Sequence, residues 1–217
     1  NQAINLIATS STGSSESVNY VLMVDNVNNT PVKSVIGPQS VRVDAATGFS
    51  MNTTAHFSDP DTIHGDTLTY TATLADGTAL PASWLSFTNG TLTATTLTNH
   101  AGQYNIRVMA TDSLGLHDST AFLLTVDTPP VPVATLPLLK QIATQNEAFA
   151  FTVPVGAFLD VDSWDQVLTY SYATLSSDAT KPSTWLHFDP VGHAFSGTPG
   201  STDVTTIVTV TATDPYG

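Results

Sequence analysis

The chain contains no cysteine, and only five lysines and arginines stand against eighteen aspartates and glutamates. Without thiols there are no disulfides, no thiol catalysis and no cysteine-type zinc site. A formal net charge of −13 leaves no basic stripe to grip phosphates, which argues against nucleic acid as a partner. Long apolar runs are missing too, so no membrane span is expected. Catalytic signatures are equally scarce. The histidines at 56, 64, 100, 117, 187 and 193 show no HExxH spacing, and no serine sits in a G-x-S-x-G elbow. A non-enzymatic role follows. Glutamate is nearly absent: sixteen of the acids are aspartate and only Glu16 and Glu147 are not. That bias suits turns and metal-binding loops better than helix faces.

What is present is alternation. Residues 67–74 (TLTYTATL), 103–111 (QYNIRVMAT), 120–127 (TAFLLTVD) and 205–213 (TTIVTVTAT) alternate apolar side chains with Thr, Ser or Asn, the pattern of half-buried strands. Gly, Pro, Asn and Asp punctuate the chain roughly every ten residues, as in an all-β sandwich. A hydrophobic content of 41% is enough to build cores despite the charge.

The alternation is also repeated on a larger scale. FSDPDTIHGDTLTY from Phe57 returns as FLDVDSWDQVLTY from Phe158, each followed by P-x-x-W-L-x-F and later by A-T-D-x-x-G. ATSSTG at 8–13 is a weaker earlier copy of the last motif, and the closing Gly13, Gly115 and Gly217 stand 102 residues apart. A period of that length fits one small globular domain per repeat. The expected division is residues 1–30 as the C-terminal strands of a preceding repeat plus linker, 31–127 as one β-sandwich, and 128–217 as a second one lacking its last strand. The joints VDNVNNTPV from Val24 and VDTPPVPV from Val126 carry prolines at 31, 129, 130 and 132, which makes them semi-rigid.

The ordered motifs F-x-D-x-D, L-T-Y, P-x-x-W-L-x-F and A-T-D-x-x-G resemble dystroglycan-type cadherin-like domains, which are grouped with the putative Ig repeats of bacterial surface proteins. In the first repeat they are carried by Phe57, Asp59, Asp61, Asp66, Leu68, Tyr70, Trp84, Leu85, Phe87, Ala110, Thr111, Asp112 and Gly115. In the second they are carried by Phe158, Asp160, Asp162, Leu168, Tyr170, Trp185, Leu186, Phe188, Ser196 to Pro199, Ala212, Thr213, Asp214 and Gly217. The resemblance implies tandem immunoglobulin/cadherin-like antiparallel β-sandwiches. It also implies extracellular calcium-binding modules or spacers of secreted adhesins and polysaccharide-associated proteins.

In such a sandwich the loop after F-x-D and the loop after A-T-D share the end that receives the incoming linker. Asp59, Asp61, Asp66 and Asp112 are therefore expected to converge near Asp25, Asn26 and Asn28. Asp160, Asp162, Asp165 and Asp214 should converge near Asp127. Four carboxylates at one loop end repel without a counter-ion, and Ca2+ accepts six to eight hard oxygens in irregular geometry. Calcium is thus the expected cofactor. The second loop is shorter, with Asp165 three residues before Leu168 where Asp66 is two before Leu68. Ser10 takes the place of Asp112 and Asp214 in the earliest copy.

Trp84 and Trp185, before L-x-F, read as core, and Trp164 in DSWDQ as a half-exposed loop residue. The resulting expectation is a calcium-braced extracellular structural or adhesive segment: a stalk or spacer, or a filament subunit assembled by β-strand complementation. Its partners are neighbouring repeats or identical subunits. The alternative is an accessory module binding a cell-surface glycan or protein.

Overall fold

In a computed structural model the alternating segments form strands; the description covers every residue except 1, 24, 47, 136, 137, 165, 166, 181 and 182, and excludes the side chain of residue 2. An antiparallel hairpin, β1 (Gln2–Thr9) and β2 (Ser15–Leu22), comes first. A first unit follows with β3 (Val32–Lys33), β4 (Gln39–Arg42), β5 (Phe49–Asn52), β6 (Phe57–Ser58), β7 (Thr69–Leu74), β8 (Leu85–Thr88), β9 (Thr91–Ala94), β10 (Gly102–Thr111) and β11 (His117–Asp127). A second unit has β12 (Val131–Pro132), β13 (Phe149–Thr152), β14 (Phe158–Leu159), β15 (Thr169–Ser176), β16 (Leu186–Asp189), β17 (Ala194–Gly197) and β18 (Thr206–Thr213). The fold is all-β, and no helix among the described residues is long and apolar enough to cross a membrane.

The first unit is a two-sheet sandwich. One sheet runs β4-β11-β10-β7, with β4 parallel to β11 and the other pairs antiparallel; the facing sheet runs β5-β9-β8, and β3 pairs with β6 beside them. Alternation decides which side chains meet between the sheets. Ile106 and Val108 of β10, Leu124 and Val126 of β11 and Leu92 of β9 are fully buried. Trp84 joins them, stacked on His100 at 4.9 Å and edge-on to Tyr104 at 5.0 Å. The β8–β9 turn is tight because Asn89 and Gly90 both take positive φ, 49° and 78°, the backbone that a two-residue hairpin loop demands.

The second unit repeats the plan in smaller sheets: β13-β17-β16 on one side, β15-β18 on the other, and β12 paired with β14. Its buried apolar set is Val153, Ala157, Leu186 and Phe195, with Trp185 packed edge-on to Phe149 at 5.8 Å. Gly197 (φ 155°) leaves room for the Trp185 carbonyl, which a Cβ would strike.

Strand starts differ from the sequence expectation by up to three residues: β11 begins at His117 rather than 120, β10 at Gly102 rather than 103 and β18 at Thr206 rather than 205. β7 begins at Thr69 rather than 67, because the Thr67 N–H is held by Asp66 Oδ1 at 2.7 Å. Residues 60–64, expected as plain loop, form a 3-10 turn. Asp59 caps it, Pro60 supplies the fixed φ of its first position, and Gly65 ends it in the left-handed region at φ 95°.

Candidate metal centres

The first cluster is assembled by two loops at one end of the first unit, Asp59 and Asp66 between β6 and β7 and Asp112 between β10 and β11. The 3-10 turn exists because Asp59 Oδ1 accepts the Asp61 N–H at 2.8 Å, and that capping bond turns the other Asp59 oxygen inward. Asp112 follows β10, where its Oδ1 accepts the N–H groups of Leu114 and Leu116 at 2.9 Å each. Asp66 is drawn toward it by the Ser113 N–H, donated to Oδ1 at 3.1 Å. One oxygen from each of Asp59, Asp66 and Asp112 then lies within 4.8 Å of the others. Asp59 is 5% exposed and Asp112 4%. Asp59 Oδ2 and Asp66 Oδ2 are buried and accept no hydrogen bond.

The incoming linker binds the same acids. Asn28 donates Nδ2 to Asp112 Oδ2 at 2.8 Å and Asn26 donates Nδ2 to Asp61 Oδ1 at 3.0 Å. Asn29 gives its backbone N–H to Asp61 Oδ2 at 2.6 Å and its amide to both Asp61 oxygens at 3.2 Å. These donors have an electrostatic consequence. The Asn29 N–H, and then the Asn26 amide, hold Asp61 below its ordinary pKa. The Ser113 side chain, with the N–H groups of Ser113 and Thr67, does the same for Asp66.

The second set of acids repeats the hydrogen-bond pattern, but among the described residues it brings no three ligand oxygens within 4.8 Å of one another. Asp160 Oδ1 accepts the Asp162 N–H at 2.9 Å, and Asp162 Oδ2 accepts the Thr128 N–H at 2.7 Å. Asp214 Oδ1 accepts from Tyr216 and Gly217 at 2.7 and 2.8 Å, while its Oδ2 is buried without a hydrogen bond. Asp127, Asp160, Asp162 and Asp214 are all at most 5% exposed. Here burial dominates: it pushes the Asp160 carboxyl up, with the charges of Asp162 and Asp214 adding to the effect. Arg42, opposite Asp127 in the β4–β11 register, donates Nη1 to the Gly217 carbonyl at 2.7 Å.

The Putative Ig domain model matches the chain twice, over residues 30–127 and 130–217. The chain belongs to the Putative Ig domain family. No curated protein matches it in sequence. Among solved structures it is similar to the protocadherin GammaB4 extracellular domain, with 17% identity, a TM-score of 0.47, and coverage of 98% of this chain and 39% of that one. Another is Drosophila OTK extracellular domains 3-5, with 11% identity, a TM-score of 0.46, and coverage of 98% and 69%. A third is the titin I-band fragment I67-I69, with 14% identity, a TM-score of 0.47, and coverage of 86% and 65%.

Within the two Ig copies, Asp59, Asp66 and Asp112 meet directly, and Asp61 stands beside them facing the linker. Asn26 reaches Asp61, whereas Asp25 is exposed. In the second copy Asp160 and Asp162 share a loop, and their charges and that of Asp214 act together. Asp165 lies outside the described residues. Ser10 closes its own turn by accepting the Ser14 N–H at 3.2 Å, the turn role that Asp112 Oδ1 fills in the first copy.

The linker contributors Asn29 and Thr128 were not singled out from sequence. Their signal is the strand frame. Val32 pairs with Ser58 and Val131 with Leu159, which aligns Asn29 with Thr128 and Asn28 with Asp127. Matching the joints on their shared Val-Asp dipeptide instead aligns Asp25 with Asp127, three residues out of this frame.

Proposed function

We propose that the chain is a calcium-braced, non-enzymatic segment of an extracellular surface protein, in which each acid cluster stiffens the joint in front of an Ig copy. In this reading the repeats are of the dystroglycan-type cadherin-like variety, from a bacterial surface protein. They divide as residues 1–30, 31–127 and 128–217. The observation that carries it is the meeting of Asp59, Asp66 and Asp112 oxygens within 4.8 Å, two of the three carboxylates having a buried oxygen that accepts no hydrogen bond.

The donor set fits the ion. Oxygens bound to one Ca2+ at about 2.3–2.6 Å lie no more than ~5 Å apart, and Ca2+ prefers hard carboxylate and carbonyl oxygens over the nitrogen and sulfur that select zinc. Asp59, Asp61, Asp66 and Asp112, with Asn26 and Asp25 of the joint, would hold it in the first copy. Asp127, Asp160, Asp162, Asp165 and Asp214 would do so in the second. The ion supplies charge, and the chain's own role is to bring linker and loops together. Asn28 and Asn29 tie the linker to Asp112 and Asp61, so whatever fixes those acids fixes the joint. Extracellular modules of this kind bind calcium with Kd values on the order of 10⁻⁴ to 10⁻³ M.

Small-angle scattering and thermal melting with Ca2+ and with chelator test the reading. Calcium should lengthen and stiffen the particle and raise its melting temperature. Unchanged shape and stability would refute it.

A further inference from the structure

β7 and β8 are edge strands of the two facing sheets of the first unit, and the two Ig copies differ in what lies between them. Aligned on Leu68 and Leu168, Tyr70 matches Tyr170 and Ala72 matches Tyr172; aligned on P-x-x-W-L-x-F, Leu85 matches Leu186 and Phe87 matches Phe188. The strand register agrees, since Ala72 stands opposite Val108 and Tyr172 opposite Val210. In the second copy the Tyr172 ring lies 5.4 Å from both Phe188 and Phe195, and its hydroxyl donates to the Leu186 carbonyl at 3.4 Å. The first copy has only a methyl group at that place. It keeps a cavity of about 440 Å3, whose lining includes Tyr70, Ala72, Leu80, Leu85, Ser86 and Phe87.

The cavity retains the groups that hold the ring in the second copy. The Trp84 carbonyl accepts the Thr95 N–H at 2.9 Å, on the β9 side of β8. Alternation along an antiparallel ladder then turns the Leu85 N–H and carbonyl to the opposite edge, where the N–H donates to the Pro81 carbonyl at 3.1 Å. Phe87 offers its ring in the place of Phe188. None of the lining residues is charged, so the occupant that fits is neutral. The volume falls within the range of small-molecule sites, about 300–1,000 Å3. Tyr172 is itself 38% exposed, so the same space without that side chain opens to solvent and a free ring can enter it.

We propose that this cavity binds a neutral phenol ring, which takes the place that Tyr172 fills from within in the second copy. The ring packs against Phe87 and Leu80, and its hydroxyl donates to the Leu85 carbonyl. Aromatic rings gain from such ring-to-ring contacts beyond the area they bury. A sugar ring fits poorly, because most of its hydroxyls would lose water against Ala72, Leu80 and Leu85 with nothing to bond to. Free phenols and tyrosyl side chains share the required chemistry. The inference goes beyond the calcium reading: the cavity lies along the β7 and β8 edges, and its occupation does not need the metal.

The test is a titration of the full chain with p-cresol, which is the tyrosyl side chain in free form, followed by the NMR shifts of the Leu80 and Leu85 methyl groups. Binding should saturate, and toluene, which lacks the hydroxyl, should bind roughly two- to tenfold more weakly, as expected for one lost hydrogen bond. N-acetyltyrosinamide separates the two sources: if it binds too, tyrosyl side chains of a partner can enter, and if p-cresol alone binds, the site takes free phenols. Ala72→Tyr supplies the ring from within and should remove binding while leaving the first unit's melting unchanged or raised. Tyr172→Ala makes the converse change, and p-cresol should restore the melting of the second unit that this substitution lowers. No saturation at millimolar p-cresol overturns the proposal, as does toluene binding equally well. So does binding that survives in a folded Ala72→Tyr protein, or a Tyr172→Ala protein that p-cresol leaves unchanged.

Discussion

Asp59→Asn should change sign with calcium. Asp59 Oδ1 accepts the Asp61 N–H at 2.8 Å, and an asparagine carbonyl can keep that bond and the 3-10 turn it caps. The other position becomes an NH2 facing Asp66 and Asp112, whose oxygens lie within 4.8 Å of Asp59. A like-charge contact thus becomes a donor to carboxylate, so the metal-free variant should melt at or above the wild type. With calcium the order reverses. At a hundredfold excess of ion over Kd, binding stabilises the native state by about 2.7 kcal/mol. For an Ig copy of the matched size, residues 30–127, each kcal/mol moves the melting temperature by about 4–8 °C, which gives roughly 10–20 °C in all. The variant, lacking one of three clustered carboxylates, should lose most of that rise in the first unit. Differential scanning calorimetry of both proteins, in chelator and in millimolar Ca2+, reads all four states. Equal calcium shifts in wild type and variant would refute the reasoning, as would a variant that melts well below wild type in chelator.

Acidification of the chelated protein should move the two units in opposite directions. Asp61 is held below its ordinary value of 3.8, so its contribution is present above about pH 4 and is lost as pH falls through its lowered folded pKa. Asp160 is raised above 3.8, so its contribution is present below that value and is lost as pH rises through the raised one. Melting between pH 7 and pH 3 should therefore show the second unit gaining stability first and the first unit losing it only in strong acid; parallel loss in both would contradict the assignment. Leu124→Ala, at a fully buried site in β11, should lower the first unit's stability by about 2–5 kcal/mol and leave the second unit's transition in place, as calorimetry would show.

Much of this was legible in the sequence because alternation is a local signal. β10, with Ile106, Val108 and Ala110 turned inward between Arg107 and Met109, could be placed within a residue. The convergence of Asp59, Asp66 and Asp112 followed once the strand order of a sandwich was assumed, since topology alone brings those loops to one end. The linker frame was not legible. The repeated Val-Asp marks the end of a strand, yet the first joint holds three more residues than the second before the next strand begins. Only the cross-strand pairs of Val32 and Val131 show where the frames coincide. Asn29 acts partly through its backbone N–H, which has no signature in residue identity. The 3-10 turn at 60–64 was likewise hidden, because Asp-Pro-Asp serves equally well in ordinary turns.

The parallel pairing of β4 with β11 has a mechanical consequence. In the first unit the chain comes in ahead of β4 and goes out at the far end of β11, toward the next Ig copy. Tension applied along an array would therefore pull these two strands in opposite directions along their common axis. The pairs from Gln39–Leu124 to Arg42–Asp127 would be loaded together, in shear, and would have to yield nearly at once. The antiparallel hairpin β1–β2, pulled from its open end, would instead unzip pair by pair. Under stretching, the first unit should behave as a stiff link and the hairpin as the compliant one.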